Sequence, residues 1–170
     1  IHAQIEPEVR AALDRPSTVL FQPYLYGSPY GPQASGGFLG LHGWHDRGDL
    51  IRAVIEGIAF NHRIHVDALR DGFAVTEARL TGGISRSPLY AQVFANALGL
   101  PVTVTETAEA AAWGAALCAG AGIGLFPDPA EDPRDLGFVT YAPDPLRQAA
   151  LHDRYRLHCD LAAGLAPFWP

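Results

Sequence analysis

The residues best placed to do chemistry lie in the stretch "RLTGGISRSPLYAQVFANALGLPV", residues 79–102. Two adjacent glycines, Gly82 and Gly83, follow a short apolar run there. Glycines at the end of a strand let a ligand reach the main chain with no Cβ atom in the way. A helix that starts just beyond them offers free N–H groups and the positive end of its dipole. Together these features suit a phosphate or another anion. A tight strand-to-helix turn with no ligand would use the same two glycines. Ser87 suits the N-cap of the following helix, and Pro88 its first position. The run Gly82-Gly83-Ile84-Ser85-Arg86-Ser87 lacks the third glycine of a dinucleotide fingerprint, which argues against an oxidoreductase.

The other reactive side chains offer less. All 12 basic residues are arginine. The absence of lysine excludes a Walker A loop and Schiff-base chemistry. His42 and His45 are three apart, as are His62 and His65, but neither pair has a third ligand at a metal-site spacing, so no metal site is expected. Two cysteines make no disulfide framework, and Cys118 reads as a small core residue. Glu56 is a lone carboxylate among apolar neighbours. Burying it would be costly without a partner, so one is expected, with Glu56 holding a neighbouring loop. Gln92 reads as a structural hydrogen-bonder, and Arg86, His65 and Asp67 as solvated. No residue of the chain is assigned as catalytic.

Composition bounds the class. A chain of 170 residues with 48% hydrophobic residues has room for one domain with a proper core. A net charge of -6 makes nucleic acid a poor partner. No apolar run is long enough to cross a membrane, and the N-terminus has no signal-peptide pattern, so a reducing cytoplasm is the expectation. The chain opens at Ile1 and holds no methionine, which reads as a fragment of a longer protein.

These residues must be positioned by an α/β unit. A short helix is expected from Glu6, with Val9, Ala12 and Leu13 on its apolar side. Residues 19–44 hold three prolines and six glycines, so short extended pieces joined by turns are expected over 19–48, Phe38–Leu41 among them. Apolar residues from Leu50 to Leu69 recur at three- and four-residue spacing behind Asp49, predicting a long helix that Asp71-Gly72 ends. Residues 78–81 predict a strand. Tyr90, Val93, Phe94, Ala97 and Leu98 predict the buried stripe of a helix that Gly99 caps. Residues 102–104 predict a second strand, parallel to the first. Ala111, Gly114, Ala115 and Gly120 predict a small-residue helix packed close to the sheet. The proline- and acid-rich segment 127–144 reads as a surface loop, and Asp144-Pro145 opens a last helix to about Leu165.

Residues 36–56, "GGFLGLHGWHDRGDLIRAVIE", resemble the second signature of the FGGY carbohydrate kinases. Gly36, Phe38, Gly40, Leu41, Asp49, Leu50, Ala53, Val54, Ile55 and Glu56 stand at the pattern's positions. "LTGGISRSPLYAQVFANALGLPV" resembles that family's adenosine motif, and "AAAWGAALCAGAGIG" the Gly/Ala helix after it. "FQPYLYGSPYGP" with "IEGIAFNHRIHVDALR" is similar to the branch that acts on L-xylulose and related ketoses or keto-acids. The resemblance covers roughly residues 19–165. It implies a partial ribonuclease-H-like domain of the actin/hexokinase type. It implies ATP and Mg²⁺, with Gly82 and Gly83 on the nucleotide phosphates and Ser87 near the adenine. It implies that the Tyr24–Pro32 loop lines the nucleotide side of a cleft; an aromatic plug over the sheet is the alternative. Residues 1–170 would be the later part of the second domain. The catalytic base and sugar contacts would lie in an N-terminal domain that is not recognisable here, and the piece alone would be inactive. An incomplete sheet would leave an unpaired edge and favour association, with the missing portion or with another copy. A non-catalytic dimerising module is the rival expectation.

Overall fold

The computed structural model describes residues 2–28, 30–107, 109–130 and 137–169, with side chains from residue 5 onward. Among the described residues five helices and five strands follow one another: α1 (His2–Leu13), β1 (Leu20–Gln22), β2 (Gly37–Leu39), α2 (Arg47–Arg70), β3 (Ala78–Leu80), α3 (Pro88–Leu98), β4 (Val102–Thr105), α4 (Ala110–Gly122), β5 (Phe138–Tyr141) and α5 (Pro145–Leu165). Short 3-10 turns precede α3 and follow α5. β1 and β2 pair antiparallel as a separate ribbon. β3 and β4 run parallel and β5 joins β4 antiparallel, giving the order β3-β4-β5. Among the described residues β3 therefore has one strand neighbour and one open edge.

α2 is the backbone of the fold. Asp46 accepts from the Asp49 main-chain N–H while Asp49 accepts from that of Asp46, a complete capping box. Arg15 clamps both carboxylates at 2.7 and 2.8 Å. The helix thus begins one cap earlier than Asp49 suggested. Gly57 lets β1 press on α2, since a Cβ there would stand 2.3 Å from the Phe21 carbonyl oxygen. Leu20, Phe60, Phe94, Leu98, Val102 and Leu151 form the main core between α2, α3, α5 and the sheet. α3 was expected to bury a stripe, but it is buried nearly all round, because α2, α5 and the sheet surround it.

Glu56 has the partner its burial demands. The carboxylate is 1% exposed. Arg52 donates to it at 2.7 Å and Arg154 at 2.6 and 2.9 Å. The same guanidiniums donate to the Ala12, Arg15, Ser17 and Val19 carbonyls. The connection from α1 to β1 is therefore the segment that Glu56 holds, through its arginines.

Other expectations need correcting. α1 starts at His2, with Pro7 inside it. The segment 127–144 is not all loop: Phe138–Tyr141 is a strand, because β-branched and aromatic residues there complete the sheet beside Val102–Thr105. Its residues 131–136 lie outside the described residues. α4 does not press on the sheet. Ala111 and Ala115 are exposed, Cys118 is exposed rather than core, and Gly120 is closed over by the Phe126 ring. An all-apolar helix gives the sequence no cue to which side is covered. Asp67 is not simply solvated; it accepts from Arg70 at 2.7 Å and the Tyr155 hydroxyl at 2.9 Å.

Two predictions follow from the buried polar groups. Glu56→Gln leaves two arginines without their counter-charge and lowers unfolding free energy by about 3 kcal/mol, read from the urea midpoint at unchanged slope. His158 is fully buried with neither ring nitrogen bonded. Burial holds its pKa at about 4, below the ordinary 6.5. The unfolded chain takes a proton through pH 6.5 that the folded chain refuses until about pH 4. Stability is thus full above pH 6.5 and falls by roughly 3 kcal/mol as pH drops to 4. In His158→Leu the loss across that interval is smaller by this amount, read from denaturation midpoints at both pH values.

Candidate functional site

Parallel pairing sets the carboxyl ends of β3 and β4 side by side, the usual place for a ligand in such a sheet. β3 runs into Thr81-Gly82-Gly83, and β4 into Glu106-Thr107. Gly82 adopts φ 85° and ψ −161°, a region open essentially to glycine alone. Its carbonyl accepts from the Ser85 N–H at 3.2 Å and the Ser85 hydroxyl at 2.7 Å, which closes the turn. Gly83 begins the 3-10 turn Gly83–Arg86. Both glycines are exposed, and a Cβ on either would meet nothing within 4 Å. Their N–H groups donate to no described group. Packing does not require glycine at 83; open approach to the main chain remains as its physical consequence.

Ser87 sits at the N-cap of α3 with extended geometry, and its carbonyl accepts from the Ala91 N–H at 3.1 Å. Its hydroxyl does not cap the helix, contrary to expectation. The 3-10 turn ties the Ser87 N–H to the Ile84 carbonyl, and the side chain, 5% exposed, is buried with no partner for its oxygen. The structure thus leaves Gly82 and Gly83 open and Ser87 buried.

Beside the turn lies a shallow cleft of about 340 Å³, bordered by Ser85, Arg86, Pro88, Glu106, Thr107 and Tyr141. Arg86 donates to Glu109 at 2.7 Å, linking the turn to the start of α4. Both side chains are largely exposed, so the pair adds at most about 1 kcal/mol. Glu106, Thr107 and Glu109 escaped the sequence reading. Their position just after a strand parallel to β3 was the signal that could have found them. Gln92 has the structural role expected, donating to Asn96 at 3.0 Å and to the Ala142 carbonyl at 2.8 Å.

The remaining candidates lie elsewhere. Tyr24 is buried with Tyr30, Trp169 and His158 at the far end of α5. Of the aromatic loop, Tyr24 and Tyr30 thus pack on α5 rather than on the β3-β4-β5 sheet, while Leu25 and Tyr26 are exposed, and Pro29 within it lies outside the described residues. The His45 ring accepts from the His42 N–H, and the His62 ring contacts the Ile58 carbonyl oxygen at 2.9 Å. Among the described residues no group of three His, Cys, Asp or Glu is placed to hold a metal ion. None of their helices is long and apolar enough to cross a membrane.

Comparison with known proteins follows this geometry. Residues 6–123 match the model of the C-terminal domain of the FGGY family of carbohydrate kinases. The L-xylulose/3-keto-L-gulonate kinase of Escherichia coli (strain K12) is 33% identical over 153 residues, 88% of this chain and 31% of that protein. The erythritol kinase of Brucella abortus is 32% identical over 164 residues, 91% of this chain and 31% of that protein. Among solved structures, xylulose kinase from Rhodospirillum rubrum superposes with a TM-score of 0.78 at 32% identity, over 99% of this chain and 34% of that one. Xylulose kinase from Lactobacillus acidophilus gives 0.79 at 27% identity, over 96% and 35%. The chain spans about a third of the length of these relatives. Its fold is part of the ribonuclease-H-like domain of actin/hexokinase-type ATPases, and the chain belongs to the FGGY family of carbohydrate kinases.

Proposed function

We propose that this chain is the nucleotide-holding part of an ATP-dependent carbohydrate kinase, which moves the γ-phosphoryl of ATP to a hydroxyl of a sugar or ketose. One observation carries the reading: the free, exposed N–H groups of Gly82 and Gly83 at the carboxyl end of β3. Those N–H groups hold the nucleotide phosphates, and the N-terminal end of α3 adds its dipole. Ser87 serves the adenine.

ATP supplies the transferred group. The described residues form no cage for Mg²⁺, so the ion arrives on the nucleotide phosphates and no step is assigned to it here. None of these residues is proposed as the base. Phosphoryl transfer rests mainly on positioning and charge neutralisation. The base and sugar contacts are assigned to the first domain of a two-domain kinase, residues 1–170 being the later part of its second domain. The names of two relatives favour a ketose or keto-acid as substrate, and we assign the enzyme to the cytoplasm.

A second reading, a dimerising module without catalysis, is favoured by the open edge of β3 and the exposed apolar surface of α4. Calorimetric titration with ADP separates the two. Saturable binding is expected. Gly83→Asp abolishes it without moving the denaturation midpoint, because the position is open and has no positive φ. The 170-residue chain, mixed with ATP, Mg²⁺ and L-xylulose, is expected to release no ADP. Absence of ADP binding to the unaltered chain would defeat the nucleotide reading and leave the module.

A further inference from the structure

A cavity of about 250 Å³ lies between α1, α2, α3 and α5, separate from the glycine turn. Its apolar walls come from Leu13, Leu89, Val93 and Leu151. Its polar lining includes the Glu56 carboxylate with Arg52 and Arg154, and beyond them Asn96, Gln92 and Arg147.

The arrangement of donors and acceptors decides what the cavity would take. Both Glu56 oxygens are occupied by the two arginines. Arg52, 7% exposed, uses Nε on Glu56 and Nη1 on two carbonyls, and its Nη2 has no partner among the described residues. Asn96 is 2% exposed; its Oδ1 accepts from Gln92 and from the Asp144 N–H, while its Nδ2 donates to no group among the described residues. Two donors on side chains more than nine-tenths buried therefore border the same cavity without acceptors. Gln92 Oε1, on a half-buried side chain, is a free acceptor that suits a hydroxyl or a second polar atom.

Charge points the same way. Two arginines around one glutamate leave the inner wall with one surplus positive charge. Arg10 and Arg147 are answered by Glu6 and Asp14, at 3.0 and 2.7 Å. A surplus positive charge, two unpartnered donors and aliphatic walls together describe the complement of a small amphipathic monoanion.

We propose that this cavity binds a short-chain organic carboxylate, its charged end at Arg52 Nη2 and Asn96 Nδ2 and its apolar body against Leu89, Val93 and Leu151. α3 lends one face to this cavity and begins at the glycine turn, so the two sites share a helix and no lining residue.

The test uses hexanoate as the probe, with hexan-1-ol and hexylamine as controls, titrated into the 170-residue chain by calorimetry. Hexanoate is expected to saturate at millimolar concentration or below, and the alcohol to bind about tenfold more weakly for want of a charge-assisted hydrogen bond. Hexylamine is expected not to bind. Asn96→Asp keeps the Oδ1 acceptor and replaces the free donor with a negative charge, weakening hexanoate by about tenfold or more. Ala150→Phe, at an exposed lining position on α5, fills the cavity and removes binding even if Asn96→Asp proves unstable. Failure of hexanoate to saturate, equal binding of the alcohol, or hexanoate binding unchanged in a folded Ala150→Phe variant would each overturn the proposal.

Discussion

The fold depends on one buried carboxylate. Glu56 sits in the middle of α2, where a charge would be expensive unless answered. Arg52, one turn earlier on the same helix, and Arg154, on α5, answer it together. The arrangement does more than neutralise. The chain between α1 and β1 crosses the helices without secondary structure of its own, and buried carbonyls need donors. The two guanidiniums supply them at Ala12, Arg15, Ser17 and Val19. Arginine suits this task because its planar fork serves a carboxylate and main-chain oxygens at once. Exposed pairs such as Arg10 with Glu6 add little by comparison.

From that centre the order passes outward to the turn. α2 packs on α3 and α1, and the close approach at Gly57 locks β1 against its other side. α3 is gripped by α2, α5 and the inner face of the sheet, where Ala78, Leu80, Val102 and Tyr141 meet Phe94 and Leu98. The N-terminal end of α3 is therefore fixed, and Ile84 of the turn ahead of it packs on both core clusters while Gly82 and Gly83 stay exposed. A site for a phosphate gains from this division: rigid elements hold the donors in place, and an open turn leaves them reachable.

Much of this order could be read from the residues. Periodicity located α2 and α3, Asp144-Pro145 marked the start of α5, a β-branched run located β4, and Gly99, at φ 62°, ends α3 as its position promised. These elements are legible because a buried face forces a repeat. α4 failed for the complementary reason: with apolar residues on every side, its sequence holds no phase from which to tell the covered side. β5 was hidden by the prolines and acids flanking it, since a strand added antiparallel to an edge needs only four suitable residues. At the site, the two glycines were legible because strand, turn and helix are consecutive. Glu106 and Glu109 were not, because they reach the turn only through the crossover that brings β4 beside β3. Glu56 announced its need of a partner, but Arg154, 98 positions away, could be identified only in three dimensions.

The same reasoning explains why the molecule is finished on one side only. Along the register, Ala78, Val102 and Tyr141 face α3, while Arg79, Thr103 and Thr140 occupy the next row and turn to the opposite face. On that opposite face the Thr103 and Thr140 hydroxyls bond each other at 3.0 Å. α4 makes no extensive contact with any other element, and Ile123 and Leu125 just beyond it are 82% and 70% exposed. An apolar helix without cover loses the free energy its composition could provide, since burial of apolar area is what stabilises such a sequence. Glu109, at the start of this helix, meets Arg86 of the glycine turn. The exposed helix and the open turn are two parts of one unfinished side, opposite in character to the tightly bonded side organised by Glu56.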